Sequence, residues 1–376
     1  MTFTKPTIKS FIPGKRTLLG PGPSDVPQRI LDAMARPTLG HLDPDFVSMM
    51  DELKQLLQYA FQTKNEMTMA VSAPGSAGME MCFANLVEPG DKVIVCQNGV
   101  FGGRMKENVE RCGGIAVMVQ DEWGKPVDLN KVKEALDNNK DAKIVAFVHA
   151  ETSTGVRSDA QALVALAHEY GCLTIVDAVT SLGGSELKVD EWGIDAIYSG
   201  SQKCLSCTPG LSPVSFGSRA IEAIKNRKAK VQSWFLDLNL VMGYWGSNQK
   251  RSYHHTAPIN SLYGLHESLV ILSEEGLEHA WTRHYENHLK LKDGLEALGL
   301  EFFVEEQYRL PQLNAITLND SIDDAAVRTK LLRNYGIEVG GGLGVMAGKI
   351  WRIGLMGHSS RQENIDKLLN ALKETL

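Results

Sequence analysis

Short apolar runs alternate with helical patterns as far as about Gly217. The runs Thr68–Ser72, Lys92–Cys96, Ala116–Val119, Ile144–Val148, Leu173–Asp177, Ala196–Ser199 and Pro213–Phe216 are the candidate strands. They lack the polar alternation of a strand with one wet face, so both faces should be covered. The clearest intervening helix is Asp159–Tyr170. Ser158 is its expected N-cap, Gln161 completes a capping box three residues on, and Gly171 terminates it. Strands separated by helices of this length predict an α/β fold with a mostly parallel, seven-stranded sheet. In such sheets ligands collect at the carboxyl ends of the strands.

From about Leu277 the pattern changes. A long charged amphipathic helix, His279–Leu298, leads into short strands at Glu301–Val304, Asn314–Leu318 and Ile350–Leu355 and two further helices. This predicts a large domain over residues 16–276 and a smaller α+β domain over 277–376. The 376 residues are 43% hydrophobic and 22% charged with a net charge of −6, which suits a globular protein and argues against a nucleic-acid partner. No apolar stretch approaches the roughly 18 residues of a membrane span, and the first ten residues lack the core of a secretory signal, so a cytoplasmic location is expected. The six cysteines form no disulfide framework. Cys204-Leu-Ser-Cys207 is a lone CxxC without a second ligand pair, which favours small residues packing in the interior over a metal site.

Candidate chemistry gathers at strand ends. Asp177 closes the run Cys172-Leu-Thr-Ile-Val176, and Lys203 follows the run that starts at Asp195. A lysine near a buried strand end is costly unless its amine is neutral or covalently engaged. A strand-end aspartate with a following lysine is what pyridoxal phosphate needs: an anion for the pyridinium nitrogen and an amine for a Schiff base. Gly75, Ser76 and Ala77 open a helical pattern after the first strand and are candidates for a phosphate cradle. Phe101, after the strand Lys92–Cys96, either stacks on a flat ring or plugs the core. Thr152 is a candidate hydrogen-bond donor to a ring oxygen or substrate. Tyr253 and Thr256, within Tyr253-His-His-Thr256, are candidate donors to a phosphate. Arg352, in an apolar strand, is either a bidentate partner for a substrate carboxylate or one half of a structural ion pair. Gly340-Gly-Gly-Leu-Gly344 precedes a strand instead of following one, so it reads as a flexible loop at the mouth of the site, not a dinucleotide fingerprint.

Taken together, these residues resemble the class V, fold-type I pyridoxal-phosphate aminotransferases, and within them the alanine–glyoxylate and serine–glyoxylate family. The resemblance covers nearly the whole chain. It rests on Leu19-Gly-Pro-Gly-Pro-Ser24, Val176-Asp-Ala-Val-Thr-Ser-Leu-Gly-Gly184, Tyr198-Ser-Gly-Ser-Gln-Lys203, Tyr253-His-His-Thr256, Gly341-Gly-Leu-Gly344 and Trp351-Arg-Ile-Gly-Leu355. It implies that Lys203 forms the Schiff base, that Asp177 pairs with the ring nitrogen, and that Phe101 stacks on the ring. Ser76, Val179 and Gln202 would lie near ring or phosphate, and Arg352 and Gly22 beside the substrate. Tyr253 and Thr256 would reach the phosphate of the neighbouring subunit in an obligate homodimer, with residues 1–15 as an arm over that subunit. The chain departs from the human-type enzyme at Ser76, Phe101 and Thr152, where that enzyme has histidine, tryptophan and serine.

The expected reaction is a ping-pong transamination. An amino acid, alanine or serine, displaces Lys203, whose freed amine then moves the Cα proton, and the amino group is passed to glyoxylate to give glycine. Ureidoglycine–glyoxylate and aminoethylphosphonate aminotransferases are rivals on the same fold. A cysteine desulfurase would need a later cysteine, and none follows Cys207. A nicotinamide-dependent dehydrogenase would need GxGxxG after an early strand, which is absent.

Overall fold

The computed structural model describes residues 3–246, 251–319 and 321–376, so Met1 and Thr2 of the expected arm lie outside the described residues. Seven strands build the central sheet: β1 (Met67–Val71), β2 (Lys92–Gln97), β3 (Ile115–Gln120), β4 (Ala142–Val148), β5 (Leu173–Asp177), β6 (Ala196–Tyr198) and β7 (Ser212–Phe216). Their order is β1-β7-β6-β5-β4-β2-β3, parallel throughout except β7, which is antiparallel to both its neighbours. Each of the seven expected strands is present. The segment between β6 and β7 contains no crossover helix, so the chain turns back and β7 runs antiparallel.

Burial follows sheet position. Val93, Ile94, Val95 and Cys96 of the interior strand β2 are all 0% exposed, whereas Ile115 of the edge strand β3 is 51% exposed. The first expected helix is found as Ala160–Glu169, but its cap differs. Asp159 is the N-cap, accepting from the Ala162 N–H, whereas Ser158 is buried and its Oγ accepts from the Val127 N–H at 3.1 Å. A carboxylate adjacent to the helix start competes well for the orphan donors, which freed Ser158 for a tertiary contact.

The second unit centres on a four-stranded sheet, Glu301–Phe302, Leu313–Thr317, Ile350–Gly354 and Gly340–Gly341, in the order first, second, third, fourth as written. The expected glycine loop is therefore partly a strand: Gly340 and Gly341 pair with Arg352 and Trp351. Its core joins Leu291, Leu295, Ile316, Trp351, Ile353 and Leu368 with Leu19, while Thr17–Leu18 pairs with Ile337–Glu338. Trp351 is fully buried with its indole N–H donating to Asp324 at 2.8 Å, so its large apolar body enters the core with its one polar group satisfied. Helix Leu277–Ala297 starts in the first core, through Leu277 and Ala280, and ends in the second. We propose the division into residues 16–276 and 277–376 on these two cores. A small third cluster, Ala150, Cys204, Leu310, Leu313 and Met356, brings the strand ends of the large sheet against the small one.

Candidate active site

Lys203 lies in a turn beyond β6, 9% exposed. The turn is clamped by Ser24, whose N–H donates to the Gln202 carbonyl at 2.9 Å and whose hydroxyl donates to the Lys203 carbonyl at 2.7 Å. The Lys203 amine donates to the Pro21 carbonyl. Gly22 sits against this side chain with φ +98°, and a Cβ there would lie 2.6 Å from Lys203 Cδ and 2.7 Å from Nζ. Only glycine gives both the left-handed backbone and the room for the lysine. Burial, joined by the nearby Arg352 guanidinium, pushes the Lys203 ammonium down to about 8, while Cys204 and Asp177 oppose the shift. A neutral amine is thus within easy reach near physiological pH.

Asp177 ends β5 level with Tyr198 at the end of β6. It is 2% exposed and accepts from the Val179 N–H and the Tyr198 hydroxyl, each at 2.8 Å. Burial pushes its carboxyl up to about 6, against those two hydrogen bonds and the attraction of Lys203 and Arg104. Its direct partners among the described residues are neutral donors. The site therefore holds a buried carboxylate with no cation hydrogen-bonded to it.

The helix Gly75–Leu86 starts where β1 ends and no side chain caps it. Gly75 packs on the Ser199 carbonyl and Gly200, both beside the Lys203 turn, and Ser76 is exposed while Ala77 is half-buried. Gln202 Oε1 is buried without a partner and faces Gly200. Ser72, at the end of β1, is hydrogen-bonded to His255 at 2.7 Å, which seats the Tyr253–Thr256 loop of this chain beside the cradle. Tyr253 and Thr256 lie on the surface, their hydroxyls 3.3 Å from each other and Tyr253 60% exposed.

The other wall is a small hairpin, Ala150–Glu151 with Val156–Arg157, that follows β4. Thr152 at its tip is buried. Its hydroxyl meets that of Thr180, and its carbonyl accepts from Arg352 NH1 at 3.1 Å. Arg352 is 6% exposed, and its Nε donates to the Gly341 carbonyl at 2.8 Å. It has two carbonyls and no carboxylate as hydrogen-bond partners among the described residues, so the ion-pair alternative is not realised. Burial lowers its pKa to about 10, opposed by the field of Glu151. A buried guanidinium held by two neutral carbonyls, through Nε and NH1, keeps its charge available to an anion. Phe101 is half-buried at the start of helix Val100–Arg111, with the Arg104 guanidinium 4.9 Å from its ring centre.

The structure thus brings Lys203, Asp177, Val179, Gln202, Gly22 and Arg352 together, with Gly75–Ala77, Phe101 and Thr152 around them. Glu151, 0% exposed in the hairpin, is the residue the sequence did not single out. Its pattern, one acid in a hydroxyl-rich strand end, looks like a turn until the fold buries it. Cys204 and Cys207 are buried and free, burial raises both thiols, and no group of metal-ligating side chains occurs among the described residues.

Pyridoxal phosphate fits these residues. Among the described residues Asp177 has no cation hydrogen-bonded to it and Gln202 Oε1 has no partner, the helix at Gly75 starts without a side-chain cap, and the lysine lies against Gly22.

The class-V aminotransferase family model matches residues 17–368. An alanine–glyoxylate aminotransferase from Oryctolagus cuniculus is 42% identical over 96% of this chain and 92% of its own length. A (S)-ureidoglycine–glyoxylate transaminase from Bacillus subtilis is 36% identical over 96% of this chain and 90% of its own. Among solved structures, an alanine–glyoxylate aminotransferase from Nostoc sp. superimposes with a TM-score of 0.96 at 46% identity, covering 98% of this chain and 97% of the other. With sequence and fold in agreement along nearly its whole length, the chain belongs to the class-V aminotransferases.

Proposed function

We propose that this aminotransferase uses pyridoxal phosphate to move the amino group of a small amino acid, alanine or serine, to glyoxylate, giving a 2-oxo acid and glycine. The observation that supports it most is the placement of a buried lysine, made easier to deprotonate by that burial, between a buried carboxylate and a buried guanidinium hydrogen-bonded to no anion among the described residues. When bound, the cofactor supplies a carbonyl to take up the amino group and a ring that withdraws electrons from the substrate Cα.

The chain's residues do the rest. Arg352 takes the substrate carboxylate and fixes the Cα–H bond relative to the ring. Lys203 would be the amine that removes the proton from the substrate Cα. Asp177 would hold a proton on the ring nitrogen, and its hydrogen bonds from Tyr198 and Val179 fix the direction of its carboxylate. Gly75, Ser76 and Ala77 at the helix start would hold the phosphate, Gln202 and Thr152 would hold the ring, and Phe101 would pack against it.

We further propose a homodimer in which Tyr253 and Thr256 donate to the phosphate of the partner subunit. Phe3, Ile8, Phe11 and Ile12 of the arm are 96%, 85%, 88% and 86% exposed, and Trp234 is 63% exposed, which is apolar surface suited to a second copy. Six buried, free cysteines support a cytoplasmic setting. No described helix is long and apolar enough to cross a membrane.

The similarity to the Bacillus subtilis enzyme gives the second reading, (S)-ureidoglycine as donor. Initial rates with glyoxylate and each donor decide between them. A higher kcat/KM for alanine or serine is expected, and a clear preference for (S)-ureidoglycine would replace the first reading with the second.

A further inference from the structure

Helix Val100–Arg111 carries Phe101 yet has no cap of its own. Its N-cap is Gly99, which supplies no side chain. The first donor at its start is met from another element. The Val100 N–H donates to Ser153 Oγ at 3.0 Å, and Ser153 donates in turn to Glu151 Oε1, from its hydroxyl at 2.5 Å and its N–H at 2.9 Å. Glu151 Oε2 is buried without a hydrogen-bond partner among the described residues. Glu151 is wholly buried, and a Cβ at Gly99 would collide with its carboxyl carbon, so the backbone of the helix start rests on the acid itself.

A buried carboxylate needs compensation, and a helix N-terminus supplies it through oriented N–H groups and the positive end of the dipole. The same hairpin binds Arg352 through the Thr152 carbonyl. Glu151 therefore stands between the element that carries the aromatic ring and the element that holds the guanidinium.

We propose that Glu151 is a positioning residue that caps helix Val100–Arg111 across the hairpin through Ser153, and so fixes the plane of Phe101 against the cofactor ring. This rests on the pyridoxal phosphate reading above. Glu151 touches neither substrate nor cofactor; it acts through Phe101.

The test is a double-mutant cycle on pyridoxal phosphate affinity, with Glu151→Gln, Phe101→Ala and both together, alongside hydrogen exchange of the cofactor-free protein. Each single variant is expected to weaken cofactor binding about threefold to tenfold, the range of one aromatic contact. The double variant is expected to be no weaker than Phe101→Ala alone. Additive losses, or unchanged affinity in Glu151→Gln, would overturn the assignment. Should Glu151→Gln fail to fold, Ser153→Ala is measured in its place, because it cuts the link to Val100 and leaves the acid. If Phe101→Ala itself leaves affinity unchanged, it is the stacking reading that fails, and exchange then decides the cap. Faster exchange over residues 98–106, with helix Gly75–Leu86 unchanged, upholds the cap; unchanged exchange there removes it.

Discussion

Replacing Arg352 by methionine separates a structural arginine from a substrate-binding one. Burial brings this guanidinium about 2.5 pKa steps down from its ordinary value, to about 10. At 1.36 kcal/mol per pKa step, holding the charge there costs about 3 kcal/mol. Methionine removes that cost but strands the Gly341 and Thr152 carbonyls, each worth about 1–3 kcal/mol when buried and unpaired. The two changes nearly cancel, so Arg352→Met should melt within about 5 °C of the parent. Binding of the amino acid is a different matter. Loss of a desolvated, bidentate partner for its carboxylate costs about 3 kcal/mol, which raises KM about a hundredfold. Arg352 binds the carboxylate alike in ground and transition states, so kcat should change much less than KM. Thermal melts and steady-state kinetics at saturating cofactor measure both. An unchanged KM, or a collapse of stability with KM intact, would show that Arg352 serves the fold and not the substrate.

Three further changes follow from the same geometry. Asp177→Asn keeps the shape, and the Tyr198 hydroxyl is free to accept from the new amide, but the charge at the ring is lost; kcat should fall by at least about a hundredfold. The sign on stability is opposite. The Asp177 carboxyl is raised to about 6 from 3.8, so between those pH values the folded cofactor-free chain keeps a proton that the unfolded chain has lost. Its penalty therefore grows as pH rises through that window and is complete above it, and Asp177→Asn should stabilise the cofactor-free protein at pH 7 by up to about 3 kcal/mol in urea melts, with no gain at pH 4. Lys203, lowered to about 8, also opposes folding in its charged form, so its contribution improves as pH rises from about 8 to 10.5; cofactor-free Lys203→Met should lack that rise in a pH series. Gly22→Ala places a methyl 2.6 Å from Lys203 Cδ on a backbone at φ +98°, and should cost about 1–3 kcal/mol of stability and about a hundredfold in kcat.

The strands were legible because each is an apolar run that the sheet buries on both faces; Val93–Cys96 and Ile175–Val176 needed no other signal. Asp177 and Lys203 were legible because an acid and a cation beside such runs have no bland explanation. What the sequence hid depends on contacts between distant segments. Ser158 looked like the cap, and only the fold shows its hydroxyl spent on Val127 while Asp159 closes the helix. Gly340 and Gly341 looked like a loop, yet they pair in a strand, and Gly340 must be glycine because a Cβ there would lie 2.4 Å from Pro21 Cδ. Glu151 was unreadable for a similar reason, since its partner, the bare start of helix Val100–Arg111, lies on another strand's connection. Resemblance supplied roles for Tyr253 and Thr256 that one chain does not bring to Lys203.

The most direct measurement is a half-reaction. The purified protein, loaded with pyridoxal phosphate, is mixed with L-alanine, L-serine or L-aspartate in turn, without glyoxylate, while the visible absorbance and the 2-oxo acid are followed. Alanine or serine should bleach the visible band and release one 2-oxo acid per active site, and added glyoxylate should restore the band while forming glycine. A band that none of the amino acids changes would contradict transamination by this chain, and a protein that takes up no cofactor at all would contradict the role given to Lys203.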